Sequence, residues 1–542
     1  MRLKEKRIRT HPSTAILLAF IAVPCFAISA SAAPGDLDST FGAGGSVSTN
    51  ISGLANAMAL QSDGKIVVVG IGENGLTVAR FNPDGSADLT FGKEGKTNPL
   101  MAPGDAVAWS VVIQPDGGIV TGGWIGDGPN GIGFSLFRFK ANGKLDPSFG
   151  SNGRVVSHFF NFSDVIYKLA IQPDGKIVAV GDVGEPGVGH LFGMARYNTN
   201  GTLDSSFGNG GKVTSNFGDA DAFDGIVLQS ASDVSILANG DIVVVGSALR
   251  DFTGNDFIVI RYLPDGNLDQ MFGNGGHVAT DFDGSSDNAS CVAVQTDGKI
   301  VVGGSAYVGN GYDFDMAVAR YNPNGSPDLS FGGSGRVVSL LKDADHVNAI
   351  AIDQSGRILL AGDAPGGPIA FTDFALKRLN QDGTPDLKFG QGGLVRTDLV
   401  GDSDTINSVA VQPDGKIVAV GTISQFIGST PSRWAITRYN NFDLCLQKGQ
   451  KPNILRASSF TGDYMLSSCN NPVLGGTGTL STTGAGLTLT DDKSDRNVTA
   501  SFSTSQKTGN ATILLTPSPG ASQTILINQK KPRDSCSCSS IP

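Results

Sequence analysis

Two families of charged residues recur at fixed phases, and their spacing suits one kind of chemistry. Arg80, Arg138, Arg196, Arg261, Arg320, Arg378 and Arg438 hold one phase. Asp38, Asp88, Asp146, Asp204, Asp269, Asp328 and Asp386 hold the other, and six of these follow an Arg by eight residues. A guanidinium presents a rigid two-pronged fork to a carboxylate. Each pair is therefore expected to clamp a turn, with Arg438 taking Asp38 from the far end of the chain. The rival is a sevenfold ring of ligands around a channel. A group present in every unit more often holds the unit together, whereas a site breaks the symmetry. A second acidic phase, Asp164, Asp287, Asp345 and Asp404, reads as turn capping. Calcium could bind these carboxylates, but the loop spacing of a calcium site is missing. No metal site and no other cofactor are expected.

Apparent catalytic motifs dissolve on inspection. Gly70-Ile-Gly72-Glu-Asn-Gly75 has dinucleotide-fingerprint spacing, yet Leu76 to Phe81 reads as a strand where the fingerprint needs a helix. Ser62-Asp-Gly-Lys65 imitates an acyl-enzyme motif, but Pro stands at the Ser position in sister copies. The stretch from Asp219 to Gly225 puts Phe223 where a calcium loop needs oxygen. His158, His190, His277 and His346 sit at unrelated phases with no paired spacing. No catalytic residue is assigned.

The elements that carry the charged phases repeat as well. A Phe-Gly pair falls at Phe41, Phe91, Phe149, Phe207, Phe272, Phe331 and Phe389, at intervals of 50, 58, 58, 65, 59 and 58 residues. A period in this range marks a repeat architecture. In the last unit Leu394 to Thr397, Ile406 to Gln412, Lys416 to Gly421 and Trp434 to Tyr439 read as four strands, with Pro413-Asp414-Gly415 turning a hairpin. Ile417-Val418-Ala419-Val420 is apolar without alternation, so both its faces should be covered. Four short antiparallel strands per unit make a propeller blade. An open solenoid would need atypical capping units. The segment missing after Tyr439 reappears as Leu37 to Gly42. The expectation is an all-β, seven-bladed propeller closed by its N-terminal segment.

With Leu-Asp-x-x-Phe-Gly, Gln-Pro-Asp-Gly-Lys-Ile-Val and Ala-Arg-Tyr-Asn in register, residues 35 to about 441 resemble the delta-60 repeat family of bacterial β-propellers. Asn239 and Ser355 depart from the hairpin Asp, and extra residues lie around Ala220 to Ser235. The resemblance implies a secreted or envelope-associated bacterial protein of unknown function and carries over no catalytic residue.

The flanks have their own signatures. Arg2, Lys4, Lys6, Arg7 and Arg9, an apolar run from Ala15 to Ala27 and the trio Ala30-Ser31-Ala32 predict a signal peptide over 1–32. Removing it takes five Lys/Arg and one Glu, and moves the net charge from −10 to −14. No nucleic-acid partner is expected at that balance, and no transmembrane segment is expected after cleavage. The ring should cover 33–441, followed over 442–542 by a small Ser/Thr/Gly-rich, sandwich-like β domain. Cys445, Cys469, Cys536 and Cys538 fall there and are disulfide candidates in an exported chain. A four-thiolate zinc site is the competing reading. Cys291 reads as a buried free thiol.

Function is pushed into what does not repeat. The loops Asp182–Leu191, Ser247–Asp256, Ser305–Asp315, Asp363–Asp373 and Thr422–Ser432 should share a face bearing Phe252, Tyr307, Tyr312 and Phe426. That face is expected to meet a glycan or protein partner, in a monomeric, non-catalytic binding or scaffold protein. The alternative is a secreted hydrolase or lyase with its site at the channel mouth.

Overall fold

In the computed structural model the described residues are 33–99, 106–128, 131–160, 162–218, 229–250, 254–282, 286–308, 314–339, 345–366, 371–399, 403–424 and 431–441, with strand backbones beyond. The chain divides into two compact units, the larger built on Ala32–Asn453 and the smaller including Gly478–Pro532. The predicted signal peptide over 1–32 lies outside the described residues.

The larger unit is a seven-bladed propeller of four-stranded antiparallel blades. Six blades are contiguous and span 54–97, 106–157, 164–215, 229–280, 287–339 and 346–397. The seventh takes Ser403–Val411, Ile417–Ser424 and Arg433–Tyr439, and its outer strand is Ser46–Ser52 from the other end of the chain. Ser46 pairs with Thr437 and Ser48 with Ala435. The Asp38 N–H donates to the Arg438 carbonyl at 2.7 Å, so the seam carries the same bonds as the other blades. Closure completes the seventh blade to four strands, so it ends in the same short inner and outer edges as the other six.

Each blade is offset by one strand from the repeat as read in the sequence. Leu394–Thr397 is the outer strand of blade six, paired with Thr372–Leu379, and not the first strand of the last unit. The loops expected between third and fourth strands accordingly join second to third strands. The Phe-Gly turn causes this, because it folds the following strand back onto its own blade. Gly42 sits at φ +53, and a Cβ there would lie 2.3 Å from the Ser46 carbonyl oxygen. Only glycine fits both constraints.

The second strands explain the apolar run without alternation. Ile66 and Val68 face blade seven, packing with Val418, Val420, Trp434 and Ile436. Val67 and Val69 face blade two, with Ala106, Ile119 and Phe137. Every second strand is thus buried on both sides, and each fully buried Val or Ile contributes roughly 1.5–3 kcal/mol. The core is a set of seven layers between neighbouring blades. Cys291 lies in one of them, a buried free thiol whose pKa burial pushes up. No helix among the described residues is long and apolar enough to cross a membrane.

The smaller unit holds a four-stranded sheet of Leu487–Asp492, Asn497–Phe502, Asn510–Leu515 and Gln523–Asn528. Leu487–Asp492 pairs antiparallel with Asn497–Phe502 and parallel with Asn510–Leu515. Cys445 lies on strand Leu444–Gln447; its side chain, and Cys469, Cys536 and Cys538, fall outside the described residues.

Candidate functional site

Antiparallel connection gives the ring two unlike faces. On one lie the Asp-Gly hairpins and the Phe-Gly turns; on the other lie the second-to-third strand loops and the links between blades.

The first face is built from the Arg and Asp phases. Arg Nε meets Asp Oδ2 at 2.8 Å for Arg80–Asp88, 2.8 Å for Arg196–Asp204 and 2.7 Å for Arg320–Asp328. The pairs Arg261–Asp269 and Arg378–Asp386 have the same Nε geometry at 2.7 and 2.9 Å. Arg438 reaches Asp38 at 2.8 Å across the seam. The free carboxylate oxygen caps the turn: Asp88 Oδ1 accepts from the Thr90 amide and hydroxyl at 3.0 and 2.6 Å. Two further contacts were not foreseen. Each guanidinium except that of Arg138 lies over the Phe of its own Phe-Gly, 4.7 Å from the Phe91 ring centre for Arg80 and 4.4 Å from that of Phe207 for Arg196. Arg196 and Arg320 also donate to carbonyls of the next blade, at Pro264 and Gln381. One side chain thus binds a carboxylate, a ring and the neighbouring blade. The constant Arg-to-Phe spacing was the signal for the ring contact.

A lysine reinforces four of the pairs: Lys65, Lys176, Lys299 and Lys416 reach the same carboxylates at 3.7, 3.1, 3.0 and 2.7 Å. Blade two has Gly118 at that phase, and its Arg behaves differently. A Cβ on Gly118 would lie 2.4 Å from Arg138 Nε. Arg138 occupies the space the lysine leaves, bonds Asp116 as well, and keeps Asp146 at 3.0 Å. At the seam, burial alone would raise Asp38, but Lys416, Thr40 and Arg438 override it and hold its pKa at about 2.

The second face varies from blade to blade. Its shared element is the second acidic phase, where a buried side chain grips the incoming chain. Asp164 accepts from the Phe159 amide at 2.8 Å, Asp287 from Phe282 at 2.7 Å and Asp404 from Leu399 at 2.8 Å. Gln229 does the same for Phe217 at 2.9 Å. Asp345 accepts from Met316 at 2.8 Å. Burial raises Asp164, and with the Asp315 charge it pushes Asp345 up to about 7. His158 Nε2 lies 3.0 Å from Asp127, and His346 Nδ1 lies 3.3 Å from Asp363, which raises the His346 pKa. Tyr307 packs edge-on against Phe314 at 5.8 Å, and Phe314 against His346 at 6.1 Å. Phe252, Tyr312 and Phe426 lie outside the described residues.

The channel wall is not uniform, and blades four and five carry Ser232 and Ser290 at the position that differs. Each first strand carries a bulge, and Asn56, Asn348 and Asn407 at that position donate to carbonyls of the next blade. In blades two and three the residues are Trp109 and Tyr167, edge-on at 6.0 Å. Burial pushes Tyr167 up to about 12, with the Asp182 charge adding, and pushes Asp182 up to about 6 against the pull of Ser230 and His190. Nothing in the linear spacing announced this group, because it is assembled by bulges and by a neighbouring blade. Two depressions elsewhere open on the clamp face and are lined by repeat residues, among them Arg357 and Asp386 in one, Lys176 and Arg196 in the other.

Seven segments of the chain match one family. It is described as a domain of unknown function (DUF5122) beta-propeller, and the matched residues are 61–91, 114–149, 172–207, 237–272, 295–331, 354–389 and 412–443. No curated protein matches the chain. Among solved structures, virginiamycin B lyase from Staphylococcus aureus is 10% identical over 72% of this chain and 98% of its own, with a TM-score of 0.42. The polysaccharide lyase Uly1 is 12% identical over 76% and 98%, at 0.43. An α-L-arabinanase of Penicillium chrysogenum is 14% identical over 60% and 92%, at 0.40. At such identities nothing about activity transfers to this propeller.

Proposed function

We propose that the chain is an exported, non-catalytic binding or scaffold protein that offers the irregular face of its ring to a glycan or protein partner. The seven units are read as delta-60 repeats. The observation that supports this is the contrast between faces. One repeats the Arg–Asp pair in every blade, with a variant geometry in blade two alone, while the other differs in charge and aromatic content at equivalent positions. An enzyme reading draws on Tyr167 of the innermost strand with Asp182 and His190 of the next two strands of that blade. A tyrosine working as an acid or base needs a pKa near the working pH, and burial moves Tyr167 the other way. The depressions also hold repeat residues. Binding is therefore preferred.

The test is a glycan array, with protein capture alongside, using the purified chain and two variants. Tyr307→Ala alters the irregular face; Leu89→Ser alters an exposed residue of the clamp face. Retention of a ligand that is lost in Tyr307→Ala and kept in Leu89→Ser supports the reading. No retained ligand, or loss only in Leu89→Ser, refutes it.

A further inference from the structure

The bulge position of the innermost strands divides the channel wall into two arcs. From blade six round to blade two it is closed by amides. Asn348 Nδ2 donates to the Ile406 carbonyl at 3.0 Å, Asn407 to Ala55 at 2.9 Å and Asn56 to Ala108 at 2.8 Å. In blades two to five the residues are Trp109, Tyr167, Ser232 and Ser290, and among the described residues none of them makes that bridge. Tyr167 is the fourth residue of Asp164–Ile171, a strand entered from the irregular face, so this open arc lies toward that mouth of the channel.

Trp109 and Tyr167 are half-buried, whereas Ala108 and Ser110 on either side of Trp109 are 0 and 1% exposed between the blades. The free part of the two rings therefore opens on the lumen. They meet edge-on at 63° with centres 6.0 Å apart, which makes a corner rather than a flat platform. Polar groups lie around that corner. Trp109 Nε1 and Asp182 Oδ1 are buried and have no hydrogen-bond partner among the described residues, and the Asp182 carboxyl lies by the Tyr167 hydroxyl. Ser232 and Ser290 carry further hydroxyls round the wall. Among the described residues of the seven innermost strands Lys168 is the one Lys or Arg, and Asp233 holds it at 3.3 Å.

We propose that this open arc, with Trp109 and Tyr167 at its centre, is a subsite for one ring of a neutral glycan entering from the irregular face; the proposal rests on the binding role already put forward and narrows its ligand. A pyranose has an apolar C–H face and a rim of hydroxyls. Trp and Tyr pair an apolar body with a polar tip and suit such a ligand, while a few placed polar groups fix its orientation. A sugar hydroxyl both donates and accepts, so it can answer an indole N–H and a carboxylate oxygen together. An acidic glycan meets the reverse of what it needs, because Lys168 is already paired and Asp182 stands beside the rings. On the other arc the amides are occupied by the wall itself.

The experiment measures binding of neutral hexasaccharides of glucose, mannose, galactose and xylose to the purified chain by titration calorimetry, with hexagalacturonate as the acidic arm. Trp109→Ser and Tyr167→Ser install the residue that blades four and five carry at the same bulge, so the fold should accept both. Asn407→Ser makes the same change on the closed arc and is the control, and the thermal midpoint checks that each variant is folded. The expected result is that a neutral hexasaccharide binds, about tenfold or more weakly in Trp109→Ser and Tyr167→Ser and unchanged in Asn407→Ser. Equal binding by the wild type and both test variants overturns the subsite, as does an equal loss in Asn407→Ser or a preference for hexagalacturonate. If Tyr307→Ala abolishes binding that both test variants keep, the wider reading of the irregular face survives without this subsite. Binding of no neutral hexasaccharide also overturns the proposal, and a protein captured by the wild type but lost in Tyr307→Ala would then still uphold the wider reading.

Discussion

The two faces of the ring solve the same problem, holding seven blades to their neighbours, by opposite electrostatic means. On the clamp face the carboxylates are paired with arginine and lysine, and their pKa values fall: Asp38, Asp88, Asp204 and Asp328 are all lowered. On the irregular face the carboxylates are buried among backbone amides, and Asp164, Asp287 and Asp345 are raised. The first arrangement is complete within each blade and is repeated. The second leaves a charge to be answered, and different blades answer it differently. The second face therefore varies more from blade to blade than the first.

The comparison is broken most directly at the seam. Arg438→Ala removes one of the two cations on Asp38 and leaves Lys416 at 2.7 Å, so the loss should fall below the roughly 3–5 kcal/mol of a fully broken buried pair, at about 1–3 kcal/mol. Urea unfolding should show that loss, whereas a loss below about 1 kcal/mol would mean the clamp is ornamental. Asp38→Asn combined with Arg438→Ala should cost less than the two losses added, because the pair acts as a unit.

Acid should act oppositely on the two faces. Asp38 is held at about 2, below the ordinary carboxylate value of 3.8, so its stabilisation is present above about pH 4 and disappears as pH falls toward 2. Asp345 has its pKa raised to about 7, so folding favours its protonated form and stability declines as pH rises from about 4 to 7. Asp38→Asn should flatten the acid limb of a stability–pH profile, and Asp345→Asn should flatten the limb above pH 4. A profile in which both variants alter the same limb would erase the contrast.

The smallest effect is expected in blade two. Gly118→Lys restores the lysine found in blades one, three, five and seven and should displace Arg138 from Asp116, leaving it on Asp146 alone. One half-exposed ion pair is exchanged for another, so stability should change by less than about 1 kcal/mol. A crystal structure with Arg138 still on Asp116 would show that the glycine does not set its position.

The clamp and the ring were legible because every blade restates them. Phase alone paired Arg80 with Asp88, and the fragment Leu37 to Gly42 identified the missing piece of the seventh unit. The blade boundary was not legible: the sequence divides at Phe-Gly, while hydrogen bonding assigns Leu394–Thr397 to the preceding sheet. Trp109, Tyr167 and Asp182 were invisible for the opposite reason. They occur once, and they come together only where two bulged strands and a neighbouring blade converge. The basic side chains beside the buried carboxylates at three junctions were equally hidden, since His158, Lys377 and Arg396 sit at three different phases.

The seam has a consequence for the order of events during synthesis. Ser46–Ser52 is among the earliest segments of the ring to be translated, yet its partner Arg433–Tyr439 is made nearly four hundred residues later. Until then the nascent chain carries a strand with an unoccupied edge, while blades one to six can assemble in turn behind it. A circular permutant that moves residues 36–52 to follow Tyr439 would let every blade form from contiguous chain. It should fold faster than the natural order and reach the same ring.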